Sequence, residues 1–190
     1  MLFLSGVAYS TLQRVREDLA PRESNGSPFW SFNQLMALRT WQVFRLRSGK
    51  RNFRTDVLRS LSEFAGAAET TRIGVTSVGE ILLEDRGRLI SVTSGQEAIP
   101  DFIYLDEVFE PVPFGQGQVP GLLDPSVHTR VNPSVLGGTP RLEGQRIPAR
   151  TLAKMAEEHG LSSVVSAYPS IDESHILDGI RLGGELLRAA

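Results

Sequence analysis

The side chains in this chain best equipped for chemistry are cations, amides and hydroxyls that suit phosphates and base edges. Tyr9, Ser10, Thr11, Gln13, Arg14 and Arg16 crowd into one short stretch whose apolar spacing reads as helix. The polar members can donate to and accept from bases, and the arginines can pair with phosphate or read guanine. Arg47, Lys50, Arg51 and Arg54 surround the turn at Gly49 and form a candidate phosphate clamp. A third group, Arg141, Arg146, Arg150 and Lys154, is a candidate second DNA contact or a contact to a protein partner.

Catalysis finds no comparable set. His128, His159 and His175 share no metal-ligand spacing, and His159 reads as a cation at a helix C-terminus. Asp101, Asp106 and Glu107 read as solvated loop acids. Gly137-Gly138-Thr139 lacks the lysine of a phosphate-binding loop, and no serine sits in a nucleophile elbow. The expectation is a protein that is not an enzyme and uses neither metal nor cofactor.

The elements that must position these groups fall into two halves of opposite charge. Residues 1–64 hold ten Arg/Lys against five Asp/Glu, and residues 65–190 hold ten against seventeen. A basic half attracts a phosphate backbone and an acidic half repels it, so different partners are expected for each. The chain of 190 residues is 41% hydrophobic, as a globular protein of one medium or two small domains would be. Cysteine is absent, which excludes disulfides and thiolate metal sites and suits a reducing cytoplasm. The apolar start MLFLSGVA is too short to span a membrane and lacks the charged lead of a signal peptide.

Residues 1–70 read as a basic helical domain. Ser10 is a candidate N-cap for a helix with Leu12, Val15 and Leu19 on one face. Residues 21–28 read as a polar loop containing Asn-Gly. Ser31 caps an amphipathic helix over 32–47, with Leu35, Leu38, Val43 and Leu46 as core, and Ser48-Gly49 ends it. A further helix is expected over 55–65, burying Val57, Leu58, Leu61 and Phe64. Residues 71–114 form a β-hairpin region, with strands over 73–75, 80–84 and 88–92, a turn at 85–87, and an edge strand over 107–112. Residues 115–136, opening with a run of glycine, proline and glutamine, read as a linker.

Residues 137–190 read as an extended lead-in and three compact helices. Pro148 marks the start of the first, which buries Leu152, Met155 and Ala156 and stops at His159-Gly160. The second starts near Ser162 and ends by Tyr168-Pro169, since proline disfavours helix in the residue before it. Asp172 caps the third, which puts Ile176, Ile180, Leu186 and Leu187 inside and is interrupted by Gly183-Gly184. Helix, glycine turn, short helix and longer helix is the layout of a helix-turn-helix unit.

This stretch closely resembles a small family catalogued as a domain of unknown function, number four-three-three, common in VapB-type antitoxins. The signature is carried by Gly138, Pro140, Leu142, Gly144, Arg146, Ile147 and Pro148, then Gly160, Leu161, Ser162, Tyr168 and Pro169, with Gln145 where threonine is usual. More loosely, residues 6–14, GVAYSTLQR, resemble the turn and recognition helix of MerR-like winged helices, although only five residues precede Gly6. Together the resemblances imply an α+β, mainly helical protein. Its N-terminal MerR-like winged helix would carry a small antiparallel β element, ahead of a C-terminal three-helix module. They imply the antitoxin of a type II toxin–antitoxin pair, a cytoplasmic homodimer that represses its own operator DNA and neutralises a toxin, typically a PIN-fold ribonuclease. Arg181 and Arg188 are then candidates to meet the toxin's carboxylates. The acidic closing helix makes the C-terminal module a better docking or dimerisation unit than a DNA reader. The competing expectations are a stand-alone DNA-binding transcriptional regulator and a protein-interaction adaptor without a nucleic-acid role.

Overall fold

The computed structural model describes residues 2–19, 22–24, 27–29, 31–48, 73–76, 78, 80–85, 88–91, 94–97 and 102–188. The helix expected over 55–65 lies outside these residues. The fold is α+β, with six α-helices and small antiparallel sheets among the described residues.

The chain begins with one helical turn, α1 (Leu2–Ser5), and reverses at Gly6 into α2 (Tyr9–Leu19). Gly6 takes a φ of +66°, a region that side chains with a Cβ rarely adopt, and its Cα faces Val112 at close range. The N–H groups of Thr11 and Leu12 both donate to the Ala8 carbonyl, so α2 starts one residue before Ser10, which therefore does not cap it. Leu12, Val15 and Leu19 are buried, as their spacing predicts.

Residues 21–28, expected as loop, contribute two short strands, β1 (Arg22–Ser24) and β2 (Ser27–Phe29), paired antiparallel with Ser24 opposite Ser27. Their polar composition hides the alternation that betrays a strand, leaving Asn25-Gly26 as the local sign of a hairpin.

Helix α3 (Phe32–Ser48) is the centre of the molecule. A reciprocal capping box starts it: Gln34 N–H donates to Ser31 Oγ at 3.2 Å, and Ser31 N–H donates to Gln34 Oε1 at 2.8 Å. Every residue from Leu35 to Phe44 is buried, so this is a core helix and not the amphipathic one expected, while Leu46 is 45% exposed. Within that run Arg39 is wholly buried. Its Nε donates to the Val108 carbonyl at 2.6 Å, Nη1 to Leu4 at 2.6 Å, and Nη2 to Glu110 at 2.5 Å and Pro120 at 2.7 Å. Burial pushes the guanidinium down to about 10, with nearby Glu110 opposing the shift.

Strands β3 (Ile73–Thr76), β4 (Ile81–Asp85), β5 (Arg88–Ser91) and β6 (Phe102–Tyr104) form an antiparallel sheet in the order β5-β4-β3-β6. Asp85 pairs with Arg88, as the expected turn between them requires. Val75 and Ile103 pair on one face and join the core around α3. The edge strand expected over 107–112 is replaced by a 3₁₀ turn (Leu105–Val108), followed by β7 (Val112–Phe114). The 3₁₀ turn puts the Val108 carbonyl against Arg39, where strand pairing would have occupied it.

Residues 115–136 do more than connect. They hold β8 (Gly117–Val119), paired with β7, and β9 (Thr129–Arg130), and they bury Val119, Leu122, Thr129 and Val131. Of the glycines and glutamines that suggested a linker, Gly115 and Gln116 make the β7–β8 turn and Gly117 and Gln118 lie in β8. Strand β10 (Arg141–Leu142) pairs back onto β9, so the lead-in to the last three helices is anchored to this segment.

Those helices are α4 (Ala149–His159), α5 (Leu161–Ala167) and α6 (Glu173–Arg188). Pro148 precedes the first helical residue and Gly160 follows the last of α4. Asp172 Oδ1 accepts Ser174 N–H at 2.8 Å and its hydroxyl at 2.6 Å, the capping role expected of it. Leu142, Leu152, Val164 and Ile176 make a small core of their own. Leu182, Leu186 and Ala149 belong instead to the large core around α3, so α6 joins the two.

The Gly183-Gly184 pair does not interrupt α6. A methyl at Gly183 would run into the Ala149 carbonyl oxygen, and one at Gly179 would lie 2.7 Å from Leu142 Cδ2. These glycines let α4 and α6 approach, and helical hydrogen bonding carries across them. Gly184 has room: a methyl there would meet only Arg188 Nη1, at 3.6 Å. Gly183→Ala is expected to destabilise by about 2 kcal/mol or more through overpacking. Gly184→Ala should stabilise by about 0.5–1 kcal/mol. Arg39→Ala should cost about 4 kcal/mol, from the cavity and the carbonyls left unpaired, and Arg39→Lys should recover only part. Urea unfolding of the four variants measures all of these differences.

Candidate functional site

Helix α2 is held by its buried face, and at its start the other face is exposed. Tyr9 is 64% exposed, and Ser10 and Gln13 are exposed beside it. Gln13 Nε2 donates to Tyr9 Oη at 2.6 Å, one helical turn apart. Thr11 turns the other way and is only 6% exposed, next to Leu12 in the core-facing stripe. It therefore leaves the set of base-reading candidates, because its hydroxyl does not reach the surface that Tyr9 and Gln13 share. Arg14 and Arg16 lie on α2, and their side chains are outside the described residues, as are Lys50, Arg51 and Arg54.

Arg47, at the end of α3, is exposed and its Nη2 donates to the Glu107 carboxylate on the 3₁₀ turn. This pair rims a cleft of about 350 Å³ whose apolar lining includes Val43, Leu46, Pro111 and Val112. Arg47 is thus partly neutralised, a partner that residues 60 apart in sequence do not announce.

Among the C-terminal cations the structure draws a division. Arg141 braces its own turn, donating from Nη1 to the Gln145 carbonyl at 2.7 Å and to Leu142 at 3.2 Å. Arg130 pairs with Asp124 and Glu143, each at 3.1 Å. Arg181 pairs with Asp178 at 2.9 Å and Glu185 at 3.5 Å, which occupies one of the two candidates for a toxin contact. Arg188 is exposed. Arg146, Arg150 and Lys154 make no ion pair among the described residues, and Arg146 and Lys154 are exposed.

Spacing gave no sign of the polar lock at Asp178. Its carboxylate accepts Ser126 Oγ at 2.6 Å, the His128 N–H at 2.8 Å and Arg181 Nη2 at 2.9 Å, tying α6 to the segment before β9. The His128 ring stacks on His175, with centroids 3.9 Å apart. Desolvation pushes the Asp178 carboxyl up, but the hydrogen bonds from Ser126, Arg181 and His128 outweigh it and hold the group below its usual value. Asp172 is also held low, chiefly by the two hydrogen bonds from Ser174. Among the described residues no group of three His, Asp or Glu side chains could hold a metal ion, and no helix is long and apolar enough to cross a membrane.

Residues 130–181 match the model of a family described as "Protein of unknown function (DUF433)". The match starts within β9. No curated protein matches the chain, and no solved structure does.

The Asp178 lock has a pH signature. A carboxyl whose folded value lies below its unfolded value stabilises fully above the unfolded value of about 4, and loses that contribution as pH falls through the folded one. Asp178→Asn should therefore cost about 1–2 kcal/mol at pH 7. The gap from wild type should close as the pH is lowered below about 4. Urea unfolding across pH 3–7 measures the gap.

Proposed function

We propose that the chain is the DNA-binding antitoxin of a type II toxin–antitoxin pair, with the N-terminal half gripping operator DNA and the C-terminal module docking the toxin. One observation carries the DNA reading: α1, the Gly6 turn, α2, the β1–β2 pair and α3 follow one another in the order of a MerR-like winged helix. In that arrangement α2 lies in the major groove with its N-terminal residues toward base edges, as reading helices do, and β1–β2 is the wing beside the backbone. Tyr9, Ser10 and Gln13 occupy that first turn and are exposed. Ten cations against five acids in residues 1–64 supply the attraction to phosphate.

The C-terminal module fits a protein partner better than a second stretch of DNA. Its longest helix, α6, begins with Asp172 and Glu173, which repel phosphate, and its other end is packed into the core by Leu182 and Leu186. Arg146, Arg150 and Lys154, unpaired among the described residues, suit an acidic surface such as the metal-binding carboxylates of a PIN-fold ribonuclease. Arg188 is a further candidate for that contact. A homodimer would match the two-fold symmetry of an operator.

Co-expression with the product of the adjacent gene tests the whole reading. A stable complex in which ribonuclease activity is suppressed is the expected result. A chain that purifies alone yet shifts its own promoter is instead a stand-alone regulator. For the DNA contact itself, Arg14→Ala with Arg16→Ala should weaken binding to any duplex and lower the salt slope by about two. Unchanged affinity and slope in a fluorescence-anisotropy titration would remove α2 from the interface.

A further inference from the structure

We infer that Gln13 reads an adenine in the major groove and that Tyr9 is the residue that positions it. The inference rests on the DNA-binding reading of α2 and deepens it from a contact helix to a base preference. Two observations meet here. Gln13 is the exposed amide on the outer face of the first turns of α2, opposite the buried Leu12, Val15 and Leu19. Its Nε2 is also already engaged, donating to Tyr9 Oη at 2.6 Å.

A primary amide carries two hydrogens on nitrogen and two lone pairs on oxygen. With one hydrogen given to Tyr9, the second hydrogen and Oε1 remain as an adjacent donor and acceptor. That pair complements adenine, which presents the N7 acceptor beside the N6 amino donor. Guanine presents two acceptors, O6 and N7, so the Gln13 oxygen would face an oxygen without a hydrogen between them. The Tyr9 bond removes rotamers that a free glutamine would lose on binding, which makes the amide a better prepared reader. Tyr9 keeps its own hydroxyl hydrogen, free to donate to a phosphate oxygen. Thr11, facing inward, leaves this part of the surface to Tyr9, Ser10 and Gln13.

The test selects binding sites for the full-length protein from a library of random 20-base-pair duplexes, then repeats the selection with variants whose folding is checked by thermal melting. The wild type is expected to recover a site with a dominant A·T pair. Gln13→Ala should lose discrimination at that pair alone, by about tenfold. Affinity for the selected site should fall further than affinity for a scrambled duplex of the same length. Gln13→Arg should move the preference at the same pair to G·C, since arginine matches the two acceptors of guanine. Tyr9→Phe keeps the ring and removes the hydroxyl, and should reduce discrimination at that pair beyond the uniform loss that its phosphate contact costs on every duplex. A selected site in which every pair keeps its preference in Gln13→Ala overturns the inference while the DNA-binding reading stands. No binding of any duplex at low salt by the wild type overturns both.

Discussion

Arg39 is a full charge placed where no water reaches, and the rest of the structure is arranged around keeping it satisfied. Its planar fork of five N–H donors meets carbonyls from the end of α1, the 3₁₀ turn, the loop after it and the end of β8. The carbonyls of Leu4 and Val108 are buried at this contact, and without Arg39 they would lose that partner where water does not reach. One side chain on a rigid helix therefore pins several connections that local propensity leaves open. One of them is Leu4, immediately before the Gly6 reversal. Because α2 starts from that reversal, the orientation of the exposed Tyr9–Gln13 surface depends on a residue that is itself wholly buried.

The C-terminal module shows how one helix can satisfy two cores. Its N-terminal half packs Ile176 with Leu142, Leu152 and Val164, and its C-terminal half delivers Leu182 and Leu186 to the core around α3. Gly179 and Gly183 make the approach to α4 possible, and Asp178 fastens the outer edge to the segment before β9. The layout of helix, glycine turn and two further helices is compatible with a reader. Packing makes it a joint between the two cores.

Much of this was legible from local chemistry. The capping box at Ser31, the stop at Gly160, the cap at Asp172, and the strands on either side of residues 86–87 are all encoded within a few residues of where they act. The DUF433 match over 130–181 bears out the resemblance seen in that stretch, starting a little earlier than the lead-in suggested. The exposed Tyr9, Ser10 and Gln13 followed from the buried stripe on α2. Thr11 did not, because it lies at the edge of that stripe, where a tilt of the helix decides which way a side chain turns. The 3₁₀ turn at residues 105–108 was missed because the apolar and acidic residues there fit a strand equally well, until the Arg39 carbonyl site is known.

The sequence by itself determined helices α2 to α6, strands β3 to β5, the charge division between the halves and the polar start of α2, since these depend mainly on neighbours one to four residues away. Only the tertiary structure decided which cations are spent internally and which are free. Arg39 finds its acceptors 35 to 81 residues along the chain, Arg47 finds Glu107 60 residues away, and Asp178 reaches back 52 residues to Ser126. Interactions of that span have no periodicity to betray them, because they exist only once the backbone has closed the loop between the partners. A trace of Arg39 was nonetheless present: an arginine flanked at three and four residues by Leu35, Met36 and Val43 has no water-facing side to occupy. The same closure that hides these pairs assigns Arg39, Arg130 and Arg181 to holding the fold and leaves Arg146, Arg150 and Lys154 without an ion pair among the described residues.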